Sequence, residues 1–141
     1  MFGHQNKLDT GWLATLGFFQ GFSHDELTRV AALGEKEEVA GGTVIIDQGR
    51  VGDACYVIVS GTATIHIRGE FVTTVGPGTM VGEMALVDHR PRNATVTAES
   101  DMVLVSFGTE EFRKLLESSP TTYRRVIGML NDRLRANEAL G

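Results

Sequence analysis

The residues that could do chemistry lie close together. The stretch Val81-Gly82-Glu83-Met84-Ala85-Leu86-Val87-Asp88-His89-Arg90-Pro91-Arg92-Asn93-Ala94-Thr95-Val96 opens with a glycine and an acid. It closes with an arginine at the mouth of a small-residue strand. The fork of an arginine matches phosphate oxygens two at a time, where a lysine offers a point charge. An ionised carboxylate accepts a hydrogen bond from a sugar hydroxyl. Backbone N–H groups at a short helix start suit a phosphate. Gly82 lets the chain pass close to a ligand, because no side chain stands in the way. Asn93, Ala94 and Thr95 are small and leave room beside the strand. The chemistry expected of this stretch is capture of one small phosphate-bearing anion, with Arg92 on the phosphate and Glu83 on a hydroxyl.

The bulk of the chain agrees with a site of that scale. Its 141 residues fit one domain with a real core, and 42% are hydrophobic against 22% charged. The net charge of −5 argues against broad binding to nucleic acid or an anionic membrane, which needs a basic face. It is compatible with a single arginine clamp. Cys55 is the one cysteine, which excludes an internal disulfide and a cysteine zinc cluster and suits a reducing cytoplasm. No apolar run approaches a membrane span, and Met1 to Lys7 lacks a signal-peptide pattern.

The elements that must position the stretch are read in chain order. Residues 1–11 are polar and read as a flexible arm. Trp12 to Leu16 reads as a short helical piece, packed down by Phe18 and Phe19. Ser23 with Glu26 three residues on forms a capping box, flanked by a Phe22–Leu27 staple. Leu27, Val30, Ala31 and Leu33 form the apolar stripe of that helix, and Gly34 ends it. From Glu35 to Phe107 the signal changes to short strands and glycine turns: Val44–Ile46, Cys55–Val59, Thr62–Arg68, Phe71–Val75, Asn93–Ala98 and Met102–Phe107. Strands this short and regularly spaced indicate an antiparallel sandwich or roll. Thr109 is expected to cap a helix with an acidic first turn, and Ser119-Pro120 to start the last one. Tyr123, Ile127, Leu130 and Leu134 are spaced by four, three and four, with Val126 and Met129 widening the stripe, which suits packing on the roll or a coiled-coil seam. Arg124, Arg125, Arg133 and Arg135 read as the solvated face of that helix.

Gly82-Glu83-Met84-Ala85, followed by Pro91-Arg92-Asn93-Ala94-Thr95-Val96, resembles the phosphate-binding cassette of the cyclic nucleotide-binding domain family. Gln48-Gly49, Gly52-Asp53, Tyr56-Val57-Ile58 and Ser60-Gly61 resemble that family's earlier turns and strands, and Phe19 to Leu33 its leading helix. The resemblance implies a mainly β fold with flanking α: an antiparallel β-roll, jelly-roll-like, after an N-terminal helical segment and before C-terminal helices. It implies one binding domain over 12–141, with helices in 12–34, the roll in 35–107, the cassette in 81–96 and helices in 109–140. It implies a non-catalytic sensor that binds a cyclic nucleotide and relays binding through the C-terminal helices. Arg92 would pair with the phosphate and Glu83 with the ribose 2′-hydroxyl. The backbone of Gly82, Met84, Ala85, Asn93 and Ala94 would line phosphate and sugar. Cyclic AMP is the expected ligand, with cyclic GMP the competitor, because Asn93 stands where alanine, threonine or serine is usual and an amide both donates and accepts. No cofactor is implied.

Other readings are weaker on the residues. An interaction module with no nucleotide would not need Glu83 and Arg92 at this spacing. A cupin-type metal enzyme wants two histidines one residue apart. His4, His24, His66 and His89 are dispersed, and His66 has Thr64 and Arg68 at those positions. No serine or cysteine has a histidine partner for nucleophilic catalysis. The chain has no basic recognition helix to enter a DNA groove. The last helix is the expected contact for a second copy or an effector domain.

Overall fold

The computed structural model describes residues 8–83 and 91–136. Three helical pieces come first: α1 (Thr10–Ala14), a single 3-10 turn (Gly17–Phe19) and α2 (His24–Leu33). Eight strands follow: β1 (Glu35–Val39), β2 (Val44–Ile46), β3 (Ala54–Ser60), β4 (Ala63–Ile67), β5 (Glu70–Val75), β6 (Met80–Val81), β7 (Thr95–Ala98) and β8 (Met102–Gly108). Helices α3 (Thr109–Ser118) and α4 (Pro120–Ala136) close the described chain.

The strands form two antiparallel four-stranded sheets, ordered β1-β8-β3-β6 and β2-β7-β4-β5. The apolar run of β3 sits between β8 and β6, as its two-sided hydrophobicity predicts. Alternation in β4 buries Ala63 and Ile65 against Val96, Ala98 and Leu104. Arg68 and Gly69 both take positive φ, 52° and 80°, the conformation a tight hairpin requires between β4 and β5. A second apolar cluster lies outside the roll. There Phe18, Phe19 and Phe22 pack with Val30, Phe107, Phe112, Leu115 and Val126. The site therefore has a rigid roll on one side and a helical layer on the other.

Several expectations are corrected. The arm read over 1–11 does not extend that far: Leu8 is buried in the helical cluster and the Asp9 side chain caps α1. Residues 1–7 lie outside the described residues. Strand β1 (Glu-Lys-Glu-Glu-Val) was not expected, because its composition disfavours a strand. Pairing with β8 overrides that preference and turns Glu37 and Val39 inward. Thr109 begins α3 rather than capping it; Gly108 holds the cap position without a side-chain bond. Gly34 ends α2 in extended conformation. It is needed for space, since a Cβ there would meet the Phe107 ring at 2.8 Å.

The expected stripe on α4 is split between two faces. Tyr123 is 54% exposed and Ile127 39%. Val126 is buried, Met129 and Leu130 pack partly buried on the helical cluster, and Thr122 and Arg133, outside the stripe, also point inward. The Leu134 side chain lies outside the described residues.

The capping box of α2 is formed, and Glu26 also serves α4. Its carboxylate accepts from Ser23 N (3.0 Å), Thr121 N (2.9 Å), Ser119 Oγ (2.6 Å) and Thr121 Oγ1 (2.8 Å). Burial raises its pKa, but the hydrogen bonds outweigh burial and bring it down to about 2. A carboxylate with a depressed native pKa contributes stability above its unfolded pKa and loses it as pH falls through the native one. The stability supplied by Glu26 should therefore be present at pH 5 and above and disappear between about pH 4.5 and 2. Urea unfolding of Glu26→Gln should show lower stability at pH 7 and a shallower acid loss than the parent. Parallel pH profiles for the two proteins would contradict this.

Candidate functional site

Two backbone features bring the ends of the cassette together. The turn at residues 47–52 pairs with the far end: Gly49 N donates to Arg92 O (2.9 Å) and Arg92 N to Arg50 O (2.8 Å). Val51 and Pro91 form a bridge beside them. Gln48 continues the contact, its N–H bonding to Thr95 Oγ1 at 3.1 Å. The near end follows β6, whose Val81 pairs with Tyr56 of β3.

Arg92 crosses between these ends and is only 5% exposed. Its Nη1 donates to Gly82 O at 2.7 Å and its Nη2 to Ala54 O at 2.5 Å. Burial lowers its pKa, while Tyr56 and Asp53 pull the other way. A guanidinium has five N–H donors, so two carbonyls leave donors for an anion. Gly82 is demanded twice. Its φ is +87°, and a Cβ would come within 2.7 Å of Arg92 Nη1 and 2.9 Å of Ile46 Cδ1. The side chain it makes room for is that of Arg92.

Glu83 is fully buried. Its Oε1 forms an ion pair with Nη1 of Arg133, whose Nη2 donates to Met80 O. Its Oε2 has no hydrogen-bond partner among the described residues. Arg133 is itself buried, so it does not belong to the solvated face expected of it. Arg125 leaves that face as well: it donates to Phe18 O and, at 2.7 Å, to Gln20 O. Arg133 was missed because charge was taken to mean exposure. A signal was available, since Arg133 falls two turns after Val126 and so on the same helix face.

The other expected site residues are placed as follows. Met84 and Ala85 lie outside the described residues. Asn93 is exposed, and Ala94 is buried in the roll's core cluster. Beside Arg92 lies a cleft of about 730 Å³ lined also by Ile45, Ile46, Asp47, Gly49 and Val51; Asn93, Ala94, Thr95 and Glu83 are not among its lining residues. Cys55 is fully buried, and burial pushes its thiol pKa well up, which suits a core residue. His66 packs edge-on against Phe71. Among the described residues no group of three His, Cys, Asp or Glu side chains converges to hold a metal. No helix among them is long and apolar enough to cross a membrane.

A two-sheet antiparallel roll between flanking helices, with a buried glycine–glutamate start bonded to an arginine ten residues on, defines a class of ligand-binding module. The sequence pattern of the cyclic nucleotide-binding domain matches residues 36–119, and the chain belongs to that family. It is similar to the Pycsar effector protein XpPycTIR of Xanthomonas perforans, 35% identical over 75% of this chain and 35% of that protein. It is similar to the cAMP-dependent protein kinase regulatory subunit of Yarrowia lipolytica, 33% identical over 80% of this chain and 31% of that one. Among solved structures, the catabolite activator protein of Thermus thermophilus superposes with a TM-score of 0.75 at 27% identity, over 85% of this chain and 59% of that one. A cAMP-binding acyltransferase from Mycobacterium smegmatis superposes with a TM-score of 0.77 at 26% identity, over 90% of this chain and 41% of that one. The chain spans about a third of the length of the curated relatives it matches. Domains of this kind are typical of regulatory modules.

Two stability predictions follow from the geometry. Gly82→Ala should cost about 1–3 kcal/mol from the positive φ alone, and more once Arg92 is displaced. Thermal unfolding at neutral pH would read it; an unchanged midpoint would refute the contact. Arg133→Ala should cost about 3–5 kcal/mol, because it strands a buried carboxylate. Adding Glu83→Gln should recover part of that loss in urea unfolding, since the stranded charge is gone. If the double variant is less stable than Arg133→Ala alone, the ion pair is not what holds this end of α4.

Proposed function

We propose that this chain is a non-catalytic sensor that binds a cyclic nucleotide, cyclic AMP before cyclic GMP, and passes the binding event to its C-terminal helix. The observation that carries this is Glu83. A fully buried carboxylate with one oxygen paired to Arg133 and the other without a partner among the described residues is poised to accept a hydroxyl. A ribose 2′-hydroxyl supplies that donor. Arg92, joined to Gly82 by a hydrogen bond, supplies the cation for the cyclic phosphate. Backbone from Gly82 to Ala85 and at Asn93 and Ala94 lines phosphate and sugar. Exposed Asn93 is the residue that tunes the base.

The relay runs through Arg133. A ligand hydroxyl on Glu83 changes the charge density that Arg133 feels, and Arg133 carries that change to α4. A ligand shifts such an equilibrium only by its differential contact with two arrangements, and the shared carboxylate is that contact. The exposed Tyr123–Ile127 face of α4 is where an effector or a second copy would read the shift. The cytoplasm is the compartment that supplies this ligand.

Titration calorimetry with both cyclic nucleotides tests the reading. The parent should release or absorb heat with saturable one-site binding. Arg92→Lys keeps the charge but loses the fork, and should weaken cyclic AMP binding by about 1.5–3 kcal/mol, the value of a charged hydrogen bond. No heat from either nucleotide would overturn the function, and equal affinity for Arg92→Lys would overturn the role of Arg92.

A further inference from the structure

We propose that Glu26 is a positioning residue for the ligand site: it holds the start of α4 against the start of α2, and so aims Arg133 at Glu83. The proposal rests on the reading of Glu83 as the hydroxyl acceptor. Of the Glu26 carboxylate, the capping box needs only the bond it accepts from Ser23 N, the box being completed by Glu26 N donating to Ser23 Oγ. The remaining three bonds, to Ser119 Oγ, Thr121 N and Thr121 Oγ1, do nothing for α2. They tie one carboxylate to the N-termini of two helices, where both dipoles favour an anion.

The next turn of α4 is also held. Arg125 bonds Phe18 O and Gln20 O, and its guanidinium lies 5.6 Å over the Phe18 ring and 5.7 Å over Phe22. Val126 is buried in the helical cluster. Beyond it, residues 127–132 contribute only the partly buried Met129 and Leu130 to that cluster, and a Cβ on Gly128 would meet nothing within 4 Å. Arg133 is the next buried side chain. With only these partial contacts in between, the place of Arg133 depends on the direction given to α4 at its start. Thr121 and Arg133 are separated by a helical run of about 18 Å, at about 1.5 Å per residue. A tilt of about 10° at the start moves the guanidinium by about 3 Å over that run. That exceeds what a hydrogen-bonded ion pair tolerates.

The test is a double-mutant cycle read by cyclic AMP calorimetry on the full chain. Glu26→Ala and Arg133→Ala should each weaken binding roughly tenfold. Combined, they should bind within about twofold of Arg133→Ala alone, since Glu26 acts through Arg133. Independent sites this far apart would multiply their effects instead, and that result overturns the proposal. Thr121→Val cuts the joint from the other helix and spares α2. It should show a smaller loss that likewise vanishes in the Arg133→Ala background, and it decides the matter if Glu26→Ala does not fold. Amide hydrogen exchange gives an arm that needs no nucleotide. Glu26→Ala should speed exchange at residues 129–135 as Arg133→Ala does. Faster exchange confined to residues 119–124 marks a local cap and overturns the proposal. If the parent gives no heat with cyclic AMP, the nucleotide reading fails, and the exchange arm still decides whether Glu26 positions Arg133.

Discussion

A carboxylate with no contact with water has to be matched by a cation, and in this fold that need is met across the whole domain. Glu83 lies at the end of β6, inside the junction between roll and helices. Its partner Arg133 comes from the far part of α4. Burying such a pair gives little net stability, because both charges lose hydration. Its effect is on geometry. Once Glu83 is inside, any arrangement that takes Arg133 away leaves a charge stranded. The position of α4 and the state of the cassette are therefore linked by a penalty on separating them.

Arg92 imposes a second constraint of the same kind. Its guanidinium joins Gly82 O to Ala54 O, so the start of the cassette, its end and β3 are held by one side chain. The turn at residues 47–52 backs this clasp through main-chain bonds on both sides of Arg92. Gly82 is part of the same unit, because the guanidinium occupies the space a Cβ would take. An arginine held this way by two backbone carbonyls has its guanidinium fixed in place, with little ordering left to do.

The roll and the cassette were legible in the sequence for different reasons. Alternation in β4, the apolar run of β3 and the Ser23–Glu26 box are short-range patterns whose consequences are decided within a few residues. The Gly82–Arg92 spacing was legible as a motif, although the role of Gly82 toward Arg92 was not. Strand β1 was missed because Glu-Lys-Glu-Glu favours no strand until β8 lies beside it. The stripe of α4 was legible only in part, because Val126, Met129 and Leu130 pack inward while Tyr123 and Ile127 are apolar yet exposed and Arg133 is charged yet buried. Hydrophobic spacing locates a helix, but its rotation about its own axis is set by what it meets.

The residues alone determined the fold class, most of the elements in their order, and the ten-residue spacing between Gly82 and Arg92. These follow from local periodicity, caps and spacing, which act through the chain. The tertiary structure decided which partner each of these charged side chains receives. Glu83 receives Arg133, Glu26 receives the start of a second helix, and Arg92 receives backbone carbonyls. Those choices depend on distance and desolvation between residues far apart in sequence. Both quantities exist only once the sheets and helices have packed.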